Sequence, residues 1–203
     1  WVIAYASRRE GVESHVVTNK VSQHSNAGEA LPALTSRQRE VGLKGTVGTF
    51  NWQAAFFDIS RPVTNVDTCN NTGASCTGQY DGKAEHRGLE LNGDWTQGPW
   101  RLAGGVTLID AKRSGSEDTG INGQRPTNVP RQVLRAQAAY RIAAVPGLEL
   151  QGQMSHEGRR NVLPDGSITL PSLTRFDAAL RYDTKISGVA TRWTFGIENV
   201  ADK

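Results

Sequence analysis

The ten residues TRFDAALRYD, Thr174–Asp183, sort by parity into two kinds of side chain. Phe176, Ala178, Leu180 and Tyr182 form one set, and Arg175, Asp177, Ala179, Arg181 and Asp183 the other. Successive side chains of a strand point to opposite faces, so this is a strand with one apolar and one ionic face. The pattern recurs along the chain. Leu89, Leu91, Gly93 and Trp95 alternate with Glu90, Asn92 and Asp94, and Trp100, Leu102, Gly104, Val106 and Leu108 share a face. Leu134, Ala136, Ala138 and Tyr140 oppose Arg135, Gln137 and Arg141. Leu148, Leu150, Gly152 and Met154 oppose Glu149, Gln151 and Gln153, and Trp193, Phe195 and Ile197 oppose Arg192 and Thr194. Val41 and Leu43 alternate with Glu40 and Lys44, whereas WVIAYAS and WQAAFFDIS are apolar on both sides. Helical periodicity is almost absent, and the pattern predicts about nine strands.

Alternation does not say which face is inside. A soluble sheet turns its apolar side to a core, whereas a membrane barrel turns it to lipid and keeps the charges in a wet lumen. The connectors decide. Short ones fall near 46–50, 97–100, 144–149 and 184–190, and long polar ones at 14–35, 63–84, 112–129 and 158–172. They alternate strictly, as the short turns of one barrel rim and the long loops of the other do. Each strand is predicted at about 10 residues, enough to cross a bilayer at a tilt. Trp1, Trp52, Trp95, Trp100 and Trp193 all fall near short connectors. This predicts an aromatic girdle at one membrane interface.

Composition excludes several other classes. Hydrophobic residues make up 37% and charged residues 21%, and no apolar run reaches the ~20 residues of a spanning helix. Net charge is +3 with the basic residues scattered, which argues against nucleic-acid binding. Nucleophile-elbow, zinc-protease and phosphate-loop motifs are missing, so no enzyme is predicted. His15, His24, His86 and His156 are isolated, and no metal site is predicted. Cys69 and Cys76 bracket six small polar residues, a spacing that can close a loop disulfide in an oxidising compartment. The chain opens in strand-like WVIAYAS and stops just after another strand-like run, so the expectation is a piece of a longer protein.

Eight segments, in order, resemble one family. They are NAGEALPALTSRQREVGLKG (26–45), AAFFDISRP (54–62), GKAEHRGLELNGDW (82–95), LAGGVTLIDAK (102–112), RPTNVPR (125–131), PGLELQGQMSHEGRR (146–160), LPSLTRFDAALRY (170–182) and FGIENVADK (195–203). Together they resemble the C-terminal part of the barrel of a TonB-dependent outer-membrane ferric-siderophore receptor. The resemblance implies an all-β, antiparallel transmembrane barrel fragment of about nine strands from a 22-stranded, plugged barrel. It implies a location in the bacterial outer membrane among its lipids. The implied ligand is a ferric siderophore, with no resident cofactor. Energy would come from the TonB complex through an N-terminal plug region. The resemblance also implies that the plug, the first barrel half and the last strand lie outside this sequence.

Within that reading, the long segments 63–84 and 112–129 are predicted on the external side, where cargo arrives. Tyr80, Lys83, Arg113 and Arg125 are their candidate contacts for an anionic chelate, and Cys69 and Cys76 the candidate loop disulfide. Two other readings stay open on the residues alone. One is a porin or adhesin barrel, and the other is a soluble β-sandwich binding module.

Overall fold

The structure is a computed structural model that describes residues 1–22, 24–68 and 76–201. It is built from strands. β1 (Val2–Glu13), β2 (Leu34–Val47), β3 (Phe50–Thr68), β4 (Thr77–Gln97), β5 (Trp100–Ser114), β6 (Gln132–Arg141) and β7 (Leu148–Glu157) follow in order. The two-residue strands β8 (Arg160–Asn161) and β9 (Thr169–Leu170) form a small hairpin, and β10 (Leu173–Ile186) and β11 (Val189–Ile197) end the series. Nine strands make one antiparallel sheet in the order β1-β2-β3-β4-β5-β6-β7-β10-β11. Every neighbour in space is the next long strand in sequence, the connectivity of an up-and-down barrel wall.

Cross-strand register settles which residues share a face. One row runs Val47–Phe50–Trp95–Leu102–Ala138–Gly152–Ala178–Ile197. A second runs Ala4–Leu43–Ala54–Leu91–Val106–Leu134, and a third Trp100–Tyr140–Leu150–Leu180–Phe195. The apolar parity of each strand therefore meets the apolar parity of its neighbours. Pairing also resolves the two ambiguous strands, because Ala4 and Ala6 face Leu43 and Val41, and Ala54 and Phe56 face Leu91 and Leu89. The apolar rows start at β1–β5 and slide toward the short turns at β10–β11, as the tilt and stagger of barrel strands require.

This apolar face is not a core. Among the described residues only Val17, Ala55, Phe57, Ala84, Ala111 and Ala139 are buried hydrophobics. The large side chains of the apolar rows stand exposed, Leu43 at 46%, Phe56 at 49% and Phe195 at 69%. Among the described residues, the extensive contacts of the long strands are all with their sheet neighbours, and no second layer covers them. A soluble sandwich would bury these rows under a second sheet. A barrel wall leaves them to lipid.

The belt ends sharply. One row beyond Phe56, Leu89 and Leu108 stands Arg8–Arg39–Asp58–Arg87–Asp110. On β5 the outward apolar run from Trp100 to Leu108 spans about 27 Å along the strand. At the other rim the tryptophans sit near the two-residue turns 48–49, 98–99 and 187–188. Trp100 packs on Tyr140 with ring centroids 4.6 Å apart, and Tyr182 pairs with Trp193 across β10–β11.

The expected long loop at 63–84 is largely strand. β3 runs to Thr68 and β4 starts at Thr77, which makes them 19 and 21 residues long rather than about ten. The β-branched Val63 and Thr64 favour extension, and the pairing Thr64–Tyr80 carries the hairpin past the charged row. The segments 14–33, 115–131 and 158–172 remain long connectors on that same side.

Candidate ligand passage and loop side

The inner parity lines a concave trough of about 840 Å³. Lys44, Gln53, Glu90, Asn92, Arg135 and Gln137 are among the side chains that border it. Polar groups of the inner face hold one another. Tyr5 donates its hydroxyl proton to Glu40 at 2.7 Å and accepts from Gln53 at 3.0 Å, while Asn92 donates to Glu90 at 2.8 Å. The motif RGLE also has a packing reason. A side chain at Gly88 would meet the Leu108 carbonyl and the Phe57 ring at 2.3 Å, so only glycine lets that ring lie against the wall.

Nearer the short turns, Glu149 collects cations from several strands. Its carboxylate accepts from one Arg101 amino group at 2.8 and 3.0 Å, and Arg141 and Arg181 stand at 3.7 Å. Gln151 donates to it at 2.6 Å. Arg181 and Arg192 also reach Asp183, at 3.2 and 2.6 Å. The Glu149 side chain is only 4% exposed, whereas its arginines are wetter. A buried carboxylate is tolerable only with such partners. The network staples β5, β6, β7, β10 and β11 on their lumen side.

On the loop side, three segments converge on the outer part of β4. At Gly82 the backbone turns to φ +66°, and a side chain there would meet the Ser114 carbonyl at 2.3 Å. The ladder gains an extra residue on β4 there, between the pairs Pro62–Lys83 and Thr64–Tyr80. Such a bulge re-aims the side chain beside it. Asp81 is thereby buried at 3% exposure. It accepts from Ser116 at 2.6 Å, from the Glu117 amide at 2.9 Å and from Arg113 at 3.2 Å. Arg113 also donates to the Asp81 carbonyl at 2.9 Å. This cluster pins the start of 115–131 to the β3–β4 hairpin. From the other side, the Asn26 amide pairs with both the N–H and the carbonyl of Gly78 at 2.9 Å, and Val17 packs over Gly78.

The four predicted contact residues are placed apart. Arg113 is 8% exposed and its guanidinium is turned to Asp81. Lys83 is exposed, shares outward parity with Glu85 and Arg87, and donates to Glu85 at 2.7 Å. Arg125 lies in the 115–131 connector, where it donates to the Ile109 carbonyl at 3.0 Å. Tyr80 is half-buried, and its hydroxyl has no hydrogen-bond partner among the described residues. Among the described residues no hydrogen bond or ion pair joins any two of the four. Cys76 is described, and Cys69, the other half of the expected disulfide, lies outside the described residues. Asp81, Asn26 and Val17 went unmarked in the sequence. The Gly82 just after Asp81 was the one local signal of a bulge.

A sequence model of the family described as "TonB dependent receptor-like, beta-barrel" matches residues 6–200. The chain belongs to the TonB-dependent receptor family. Its nine strands are part of a larger outer-membrane receptor barrel. Ferrichrome receptor FcuA of Yersinia enterocolitica is 30% identical over 180 residues, covering 88% of this chain and 23% of that receptor. An uncharacterized TonB-dependent receptor of Haemophilus influenzae is 26% identical over 181 residues, covering 85% of this chain and 52% of the relative. Among solved structures, the ferric preacinetobactin receptor BauA of Acinetobacter baumannii superposes with a TM-score of 0.78 at 25% identity. The ferric yersiniabactin uptake receptor FyuA of Yersinia pestis gives 0.77 at 19%. Both superpositions cover 100% of this chain and 30% of the receptor chain. The chain thus spans a quarter to a half of the curated relatives it matches.

Proposed function

We propose that the chain forms the wall of a receptor that binds a ferric siderophore on its loop side and imports it through the lumen. The observation that carries this reading is the union of a polar concave face with loops tied together at one rim, in a sheet whose other face is an exposed apolar belt. A lipid-facing wall with a wet interior is a passage. Loops fastened to one another at its mouth form a receiving surface. The names of the relatives, a ferrichrome receptor and a ferric preacinetobactin receptor, favour an iron chelate as cargo and transport rather than catalysis. Ferrichrome is the first cargo to test.

The rest of the working receptor belongs to this proposal. A plug would fill the lumen, and TonB would act on that plug rather than on the wall described. Among the described residues, sheet edges β1 and β11 each pair on one side only. Unpaired backbone groups cost several kcal/mol each in lipid, so the wall works as part of a closed barrel. At the mouth, Arg113 serves as an anchor for the loop that follows it.

The test is ferrichrome affinity of the purified full-length receptor, measured with and without shortening of 115–131 beyond its Asp81 anchor. We expect weaker binding with the barrel still assembled, because loops contribute little to strand pairing. Unchanged affinity would remove this loop from the receiving surface.

A further inference from the structure

Among the described residues, the largest fully buried side chain lies in a connector and not in a strand. It is Val17 of the segment 14–33, 2% exposed. Val17 is seated on the outermost part of β4, where a side chain at position 78 would meet its Cγ1 at 2.6 Å. That part of β4 has left the wall. The ladder of β2 with β3 ends at the pair Arg37–Ser60, and the ladder of β4 with β5 ends at Lys83–Ser114. Beyond them, among the described residues, Thr64–Tyr80, Asn65–Gln79 and Thr68–Thr77 continue as a ribbon of two strands. A two-stranded ribbon is marginal in water without a third strand or a packed face.

Two connectors supply what the ribbon lacks, and both do so on the short run 76–81. From 14–33, the Ser25 amide donates to the Cys76 carbonyl at 2.7 Å, and the Ser25 and Thr77 hydroxyls meet at 2.7 Å. The Asn26 side chain takes both backbone groups of Gly78, as a third strand would. From 115–131, Ser116 and the Glu117 amide donate to Asp81, and Gln79 donates to the Glu117 carboxylate at 3.3 Å. Each connector is also folded on itself. Val17 exchanges backbone bonds with Glu29 and Gly28 at 2.9 and 3.1 Å, and Asn122 closes on both backbone groups of Ser116 at 3.0 and 2.9 Å.

The three pieces have little else to hold them. Among the described residues, Val17 is the one buried hydrophobic in 14–33, the ribbon and 115–131 together. Its burial needs Gly78, and the buried Asp81 carboxylate needs its donors from 115–131. We propose that the ribbon and the two connectors open and close as one cooperative unit. Without 14–33, Cys76 and Gly78 lose their outer bonds, the ribbon frays, and fraying takes Gln79 and Asp81 away from Ser116 and Glu117. Without the Asp81 anchor the same sequence runs in reverse. Docks that share one short element couple in this way, and local opening of proteins proceeds in such contiguous units. The mouth then has two states instead of loops that swing separately, and a contact on any one segment sets the state of the other two. The unit rests on these bonds alone and is independent of which chelate the lumen carries.

Hydrogen exchange of the full-length receptor in detergent micelles, read by peptide mass spectrometry, tests this. Asn26→Ala removes both bonds to Gly78 and leaves 115–131 unaltered. We expect exchange about tenfold faster in 14–31, the factor for two hydrogen bonds of ordinary net worth, and faster by the same factor in 115–124. Ser116→Ala acts from the other side and should quicken 14–31 as well as 115–124. Peptides from β6, Gln132–Arg141, should exchange as in the parent, which shows an intact wall. A rise confined to the connector that carries the substitution would show loops that open separately and overturn the unit. No rise in either connector, or one that reaches β6, overturns it too.

Discussion

Leu180 and Ala179 are adjacent on β10, and the account gives them opposite solvents. Leu180 projects outward between Leu150 and Phe195, in a row that is apolar from Trp100 onward. Ala179 projects inward between Gln151 and Gly196, where the glycine leaves room. An arginine at 180 must place its charge in the hydrocarbon belt one step inside the Tyr182–Trp193 pair, between the midplane, where it costs about 2–4 kcal/mol, and the interface, where it costs about 0–1 kcal/mol. The packing of Leu180 against its two neighbours is lost as well. An arginine at 179 enters water beside Gln151, for a cost of about 0–1 kcal/mol. Reversible folding of full-length Leu180→Arg and Ala179→Arg receptors into lipid vesicles, titrated with denaturant, reads the difference. The expected gap is about 1–2 kcal/mol in favour of the inner substitution. Equal costs, or a larger cost at 179, would show that the inside and the outside of the wall have been exchanged.

Glu149→Gln keeps the shape of its side chain and removes the charge that Arg101, Arg141 and Arg181 share. Because those arginines are partly exposed and water reclaims part of the loss, we expect about 1–3 kcal/mol of destabilisation. Arg101→Gln should cost less in the Glu149→Gln background than alone, and additive costs would deny the network. Gly82→Ala forces a side chain toward the Ser114 carbonyl at positive φ, with an expected cost of about 1–3 kcal/mol and faster proteolysis of 115–131. An unchanged cleavage pattern would mean that the bulge does not set the Asp81 anchor. A Cys69–Cys76 disulfide should add about 2–3 kcal/mol by closing a short polar loop. Mass spectrometry showing two free thiols in envelope-exported receptor would count against it.

The sheet was legible because its physics is local. Period-two alternation assigns faces wherever one face is apolar, and Leu89–Trp95, Trp100–Leu108 and Phe176–Tyr182 all pair as that alternation requires. Val2–Ala6 and Trp52–Phe56 could not be read alone, since both parities are apolar there, and only their partners decide. The loop side was harder for a different reason. Val63 and Thr64 extend β3 through pairing with β4, and polarity there suggested a loop although the backbone is in a ladder. Charge marked Lys83 and Arg113 as contacts, but charge does not reveal its partner. Lys83 meets Glu85 and Arg113 meets Asp81. The docking of Asn26 and Val17 on Gly78 joins residues 52 and more apart in sequence, and no local pattern encodes it.

Iron uptake by living cells tests the central claim most directly. The full-length receptor is expressed in a Gram-negative strain stripped of its own ferric-chelate receptors, and radiolabelled iron is supplied as ferrichrome and as other siderophore chelates. The account predicts accumulation of at least one chelate, dependent on the receptor and abolished when TonB is deleted. A well-assembled barrel that imports no ferric chelate, or imports one equally well without TonB, would contradict it.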